Sequence, residues 1–320
     1  MSSSIASLRA AHARAGVSFA GRRAVVGGGT SGIGRGAAVR LASLGFDVAV
    51  LGRSAAAGAD VVSEMRAASG ARPGARLAFV PFDGFSLASA RAAAGAALAA
   101  LGGTPVIDVL FMSQGMATLQ GRTETADGID EKLSLHVYSR VALALELLPA
   151  LRAAPAPRVI SVLSAGVHGV YAHWREDPSL KTHYSIKNAA DAAGLLNDAC
   201  WDALSREEGN QNVLFVHAAP GGVATNWGTE FPWFLRLPVR AVQWLLRSPA
   251  DAAEAMLDTL WATSAGGFRL VGANGEPANA TSVHEEARES LWAHAKGVVR
   301  GRLPAVPAGG ITPDDESHRI

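Results

Sequence analysis

The sequence predicts an α/β fold: a doubly wound parallel sheet of seven strands flanked by helices. Two observations predict it. Short β-branched runs alternate with longer Ala/Leu helical patterns, which is the sequence form of repeated βαβ units. A glycine-rich turn closes the first short run and opens the first long one, the junction at which such a sheet begins.

The elements follow in order. A first strand over 23–26 (Arg23-Ala24-Val25-Val26) leads through the glycine turn into a helix over 33–44. A strand over 47–51 precedes an Ala-rich helix over 55–68, and a strand over 76–80 precedes one over 87–101. The fourth strand, 106–112, is followed by a long helix over 128–151, and the fifth, 158–163, by a helix over 185–205. After a sixth strand over 213–217 come helices over 239–246 and 249–263, a seventh strand over 268–271 and a last helix over 282–298. Right-handed crossovers would distribute these helices over both faces of the sheet.

Composition narrows the function. The 320 residues carry 29 Lys+Arg against 28 Asp+Glu, with no basic block, which argues against a nucleic-acid binder. One cysteine, Cys200, excludes an intrachain disulfide framework and a multi-cysteine zinc site. No stretch of about 18 apolar residues appears, so no transmembrane segment is indicated. The 49 % apolar residues therefore belong to a buried core. No linker-like shift in composition occurs between 21 and 300, which reads as one domain with an excursion from the sheet over 222–248.

The ends differ. Met1 to Phe46 contain no Asp or Glu and begin with Ser2, Ser3, Ser4, Arg9, His12 and Arg14. The segment 1–20 is read either as a leader for organelle import or as a short helix packed on the domain. Import aside, a cytoplasmic location is expected. Residues 301–320, with Pro304, Pro307, Gly309, Gly310 and Pro313, form an irregular tail.

The turn Gly27-Gly28-Gly29-Thr30-Ser31-Gly32-Ile33-Gly34 carries the first chemistry. Without Cβ atoms, its backbone N–H groups and the following helix N-terminus can approach a diphosphate directly, as in a Rossmann-like dinucleotide site. Further along stand Ser113 and Gly115 after the fourth strand, Ser164 after the fifth, Tyr184 with Lys187, and Pro220-Gly221 after the sixth. Taken with the Gly28-x-x-x-Gly32-x-Gly34 spacing, these ordered landmarks resemble the short-chain dehydrogenase/reductase family over roughly Arg22 to Gly272. The wording is similar to its fungal and plant-like branch, in which extended loops precede the Tyr.

The resemblance implies a hydride transfer between a nicotinamide cofactor and a carbonyl or alcohol. The strand-end sequence Leu51-Gly52-Arg53-Ser54 lacks the carboxylate that would accept from a free ribose 2′-hydroxyl. Arg53 and Ser54, with Arg35 beside the glycine turn, suit the 2′-phosphate of NADP(H) through charge-assisted contacts, unless both arginines are solvated surface residues. Asp83 matches the family's adenine-amine acceptor or caps a turn. Thr30, Ser31, Ile33 and Ser113 would line the cofactor, and Val223 and Thr225 after Pro220-Gly221 would reach the carboxamide or a phosphate.

In the family's mechanism Tyr184 would donate the proton, Ser164 would orient the substrate oxygen, and Lys187 would hold the ribose and stabilise the phenolate. Two departures stand out. Lys187 lies three residues after Tyr184 rather than four, about 100° around a helix from the expected place, whereas His183 has the four-residue spacing. His136 occupies the position of the family's proton-relay Asn, where an imidazole either relays protons or sits as a buried histidine bonded to a carbonyl. His168, His173 and His217 lack ligand spacing, and no metal site is assigned.

The aromatic stretch Trp227, Phe231, Trp233, Phe234, Leu235, Leu237 and Trp244 reads as a lid over an apolar substrate, as core, or as a dimer contact. Family members often pair through the helices after the fourth and fifth strands, which leaves a homodimer open. The expected function is an NADPH-dependent carbonyl reductase or alcohol dehydrogenase acting on an apolar ketone, aldehyde or secondary alcohol. Two alternatives are an NADP-binding sensor or partner subunit without turnover, and a peripheral membrane protein using the aromatic segment with Arg236, Arg240 and Arg247.

Overall fold

A computed structural model describes residues 5–103, 105–224, 246–262 and 266–301. Seven parallel strands form one sheet in the order β3-β2-β1-β4-β5-β6-β7. They are β1 (Arg23–Gly27), β2 (Asp47–Gly52), β3 (Leu77–Pro81), β4 (Val109–Met112), β5 (Arg158–Val162), β6 (Leu214–Ala218) and β7 (Gly267–Val271). The order reverses between β1 and β4, which opens the crevice where such sheets bind ligands, at the carboxyl ends of the strands.

Alternation along each strand feeds both layers. Val25, Ala49, Leu51 and Leu110 pack on one face with α4 (Leu87–Ala100), α6 (Ser139–Arg152), α7 (Ile186–Arg206) and the helix His284–Val299. Val26, Val48, Val50 and Phe111 pack on the other with α2 (Gly32–Ser43), α3 (Ala55–Ala68) and the helix Pro249–Met256. Burial on both faces explains why the strands are apolar runs rather than polar–apolar alternations.

The expected long helix over 128–151 is divided. Asp130 caps a short α5 (Glu131–Leu133) by accepting from the N–H groups of Lys132 (3.0 Å) and Leu133 (3.2 Å). A π-helical turn, Ser134–Tyr138, then joins it to α6. The extra residue in that turn re-aims the side chains upstream of α6 relative to its register. The fourth strand is shorter than expected because Asp108 turns its carboxylate to the Arg23 N–H (2.9 Å). The helix expected over 249–263 ends at Met256 and continues as a 3₁₀ turn, Asp258–Leu260.

At the N-terminus, α1 (Ile5–Arg14) packs on the domain. His12 is buried, stacked on Trp261 at 3.5 Å, with Nδ1 2.8 Å from Glu254 and Nε2 2.7 Å from Asp258. Arg9 pairs with Asp251 and Glu254, so the acid-free segment finds its carboxylates on the helix Pro249–Met256. The helix expected over 239–246 and the residues Trp227 to Trp244 lie outside the described residues, as does the tail. Among the described residues, no helix is long and apolar enough to cross a membrane.

Candidate cofactor cleft and active site

A cleft of about 580 Å³ opens at the carboxyl ends of β1, β2, β4 and β5. Its floor is the glycine turn. Gly28 has φ +70°, and a Cβ there would stand 2.5 Å from the Gln114 backbone nitrogen; a Cβ on Gly34 would stand 2.5 Å from Ser113 Oγ. The turn is therefore pressed against the strand beside it, with its N–H side and the N-terminus of α2 left toward the cleft. Ser31 N-caps α2 in extended conformation without using its side chain as the cap. Such a cradle fits a diphosphate: glycine permits the close approach, and the helix N-terminus favours the charge.

Of the residues singled out in the sequence, Thr30, Ser31, Gly32, Ile33, Arg53, Ser113, Gly115 and Pro220 line this cleft with Gly28. Arg53 stands at its edge, its guanidinium 5.4 Å from the Phe85 ring. Arg35 does not join it. That guanidinium is held by Glu64 on α3 (2.9 and 2.5 Å), and the same hydrogen bond raises its pKa. Ser54 Oγ accepts from the Ala57 N–H (3.2 Å) and caps α3. Asp83 takes the turn-capping role, its Oδ1 accepting from the Phe85 N–H at 3.0 Å. Gly221 adopts φ +71° beyond Pro220, and Val223 is buried in a bridge to Arg247. Thr225 lies outside the described residues.

The inner end is lined by Met116, Ala117, Leu135, His136 and Leu163. His136 sits in the π turn and accepts the Met116 N–H at Nε2 (3.0 Å), so its proton is on Nδ1. Burial, with the nearby charges of Arg140 and Lys132, pushes its pKa down to about 3, and the imidazole is neutral. The ring is thus bonded to a backbone N–H rather than to the expected carbonyl, and it lines the cleft.

Tyr184 and Lys187 are not brought into the cleft with it. Tyr184 precedes α7 and donates its hydroxyl to the Gln120 carbonyl (3.0 Å). The cation near its ring is Lys132, at 5.3 Å, rather than Lys187. Lys187 is 77 % exposed at its side chain and pairs with Asp191 one turn along α7. The physical reason is the late start of the helix: Ser185 caps α7 by accepting from the Asn188 N–H (3.0 Å), which leaves Tyr184 outside the first turn. Ser164 keeps its place at the end of β5, but its Oγ is buried and has no partner.

Behind Ser164 lies a polar assembly that spacing did not reveal. The Ser164 N–H donates to His217 Nε2 (3.0 Å); His217 Nδ1 faces Asp198 Oδ1 (2.5 Å), and Asp198 Oδ2 faces His168 Nε2 (3.0 Å). His168 Nδ1 meets the Gly169 carbonyl at 3.0 Å. The partners fix the protons. His217, accepting at Nε2, carries its proton on Nδ1, whereas His168 faces acceptors from both nitrogens and is an imidazolium. The shifts agree: burial lowers His217, burial opposes but the Asp198 hydrogen bond raises His168, and Asp198, despite its burial, is held down to about 2 by both histidines. His168 and His217, which look scattered in sequence, thus share one carboxylate, and their mutual pairing accounts for the cluster.

Arg140 is the second such element. It is fully buried, and donates to Ser161 Oγ (2.8 Å), the Val162 carbonyl (2.9 Å) and the Gln114 carbonyl (2.5 Å). Burial draws its pKa down to about 9, which leaves it charged at neutral pH. Ser161 donates onward to Asn197 (2.7 Å), and Asn197 to the His136 carbonyl (3.0 Å), tying β4, β5, α7 and the π turn together. The available signal was Arg140 itself, a charge inside an Ala/Leu helical run, four residues beyond His136.

The short chain dehydrogenase family profile matches residues 22–179. Mouse polyprenol dehydrogenase is 32 % identical over 295 residues, covering 85 % of this chain and 82 % of that protein. Human dehydrogenase/reductase SDR family member 13 is 30 % identical over 300 residues, 92 % of this chain and 76 % of the relative. The NmrA-like family domain-containing oxidoreductase notO of an Aspergillus strain is 35 % identical over 121 residues, and this chain spans only 36 % of its length. Among solved structures, an uncharacterized protein of Mycobacterium Paratuberculosis superposes with TM-score 0.67 at 20 % identity, over 95 % of this chain and all of that one. A short chain dehydrogenase of Shigella flexneri complexed with NADP superposes with TM-score 0.58 at 19 % identity, over 80 % of this chain and 98 % of that one. With the glycine cradle at the end of β1, the seven-stranded parallel sheet and these matches along most of its length, the chain belongs to the short-chain dehydrogenase family of oxidoreductases.

Proposed function

We propose that the protein binds NADP(H) in this cleft and catalyses its oxidation or reduction against an apolar ketone, aldehyde or secondary alcohol. One observation carries the reading: a glycine cradle for a diphosphate, an arginine where a ribose-binding carboxylate would stand, and an apolar inner wall share a single cleft. Arg53 supports the 2′-phosphate by charge, and Gly52, before it, leaves room beside Thr30. The name of the mouse relative supports an alcohol or its carbonyl as substrate class, and the NADP complex of the Shigella flexneri neighbour supports the cofactor.

The cofactor supplies a hydride donor or acceptor at its nicotinamide ring. Tyr184 then exchanges protons with the substrate oxygen, Ser164 orients that oxygen, and Lys187 favours the phenolate. His136, neutral and carrying its proton on Nδ1, offers a donor to a water at the inner end. This constellation requires Tyr184 to leave the Gln120 carbonyl and Lys187 to leave Asp191.

Those two contacts favour a second reading, nucleotide binding without turnover. Fluorescence titration with NADPH and NADH, followed by a panel of apolar ketones and aldehydes, separates the two. The first reading expects NADPH consumption that falls at least about a hundredfold in Tyr184→Phe. NADPH binding with no consumption across the panel establishes the second, and failure to bind either nucleotide removes both.

A further inference from the structure

Arg140 leaves a positive charge unbalanced at the inner end of the cleft. It lines the cleft beside Leu135 and His136, is fully buried, and bonds to neutral groups: Ser161 Oγ and the carbonyls of Val162 and Gln114. Among the described residues no carboxylate pairs with it. The other buried charges of this region cancel: Asp198 is matched by the His168 imidazolium, and Asp130 by Lys132 at the start of α5. The field of Arg140 reaches the cleft, since the same guanidinium helps to keep His136 neutral. A buried ion without a counterion is costly to the fold, and its field is little screened by salt.

The two redox states of a nicotinamide differ in charge: the dihydro ring is neutral, and the oxidised ring is a cation. A dinucleotide with its 2′-phosphate at Arg53 and its diphosphate on the glycine turn has its nicotinamide toward the inner end. When hydride leaves the dihydro ring for a carbonyl carbon and a proton joins the carbonyl oxygen, the ring becomes the cation; alcohol oxidation runs the other way. We propose that Arg140 is a specificity determinant for the redox state of the cofactor, favouring NADPH and repelling NADP⁺, so that the site is loaded for carbonyl reduction. This rests on the nucleotide-binding reading above. Arg140 acts through its field rather than by contact: at an effective dielectric of about 20, a fixed unit charge weakens the binding of a like charge about 10 Å away by roughly tenfold.

Titration of the parent protein, by fluorescence for NADPH and by competition for NADP⁺, should show NADPH bound about tenfold more tightly. Arg140→Lys, which keeps the charge, should retain that preference, and Arg140→Met should nearly abolish it by tightening NADP⁺. Adenosine 2′,5′-bisphosphate, which reaches only the Arg53 side, should bind the parent and both variants alike, and so reports that each is folded. Should Arg140→Met fail to fold, the parent alone decides. The analogue of NADP⁺ with nicotinic acid in place of nicotinamide adds a carboxylate to the ring, and a positive field should make it bind more tightly than NADP⁺. Equal affinity of the parent for NADPH and NADP⁺ would overturn the proposal, as would a nicotinic acid analogue that binds no more tightly than NADP⁺. A preference that survives in folded Arg140→Met would overturn it too, and would assign the discrimination to the apolar wall. Failure of the parent to bind NADPH and adenosine 2′,5′-bisphosphate overturns the nucleotide reading itself.

Discussion

The two halves of the cleft are held in different ways. On the nucleotide side, short-range features set the geometry: Gly28 at positive φ, Ser31 beginning α2, Ser54 capping α3 and Asp83 closing its own turn all act within three residues. On the inner side the geometry depends on contacts far apart in sequence. Arg140 reaches Gln114 and Ser161, and Asp198 joins His168 to His217 and, through it, to Ser164. A side built from local rules tolerates change elsewhere in the chain; a side built from buried charges fails as a unit when one partner is lost.

The sharpest way to break this contrast is Asp198→Asn. It leaves the buried His168 imidazolium without its hydrogen-bonded counterion, a change expected to cost about 3–5 kcal/mol in chemical unfolding. The His168 pKa, now raised, should fall to or below its ordinary value when followed by NMR. If the variant unfolds like the parent, the assembly behind Ser164 is not what holds the inner side.

Acid comes next. Burial holds His136 at about 3 and His294 at about 4, and lowers His217, while the unfolded chain takes up these protons near 6.5. Folding stability should therefore decline as pH falls from about 6.5 toward 4, by about 1.4 kcal/mol per pH unit for each histidine kept neutral. Asp198 acts later, its contribution present above its ordinary range and lost as pH falls toward about 2. His168 runs the other way: its raised pKa contributes in full below the ordinary value and fades as pH rises through the folded one. Denaturant midpoints across pH 4 to 9 should show a maximum near neutrality; a flat profile below pH 6 would contradict the neutral histidines.

The smallest effect falls on the local side. Arg53→Ala should weaken NADPH by about fivefold to tenfold, less at high salt, and leave NADH unchanged, with no loss of folding stability. Equal loss for both nucleotides would remove the 2′-phosphate assignment.

Legibility in the sequence follows the same division. All strands but β4, which begins three residues later than expected, and most helices were readable within a residue or two because a parallel sheet buried on both faces writes itself as apolar runs, and the places of Gly28, Arg53 and Pro220 at strand ends were readable because they follow from local sequence. Tyr184 and Lys187 were recognisable as a pair, but not their placement, which turns on whether Ser185 or an earlier residue caps α7. Arg140 and Asp198 gave no periodic or spacing signal, because what they do is decided by residues 19 or more positions away, brought close only by the fold.

The docking of α1 bears on the order in which the chain is made. Its partners Glu254 and Asp258 lie 242 and 246 residues downstream of His12, so during synthesis the helix leaves the ribosome long before anything exists for it to pack on. Through that interval it is a short basic peptide with no acidic neighbour before Asp47. The last-made third of the domain, rather than the first, decides when the N-terminus comes to rest.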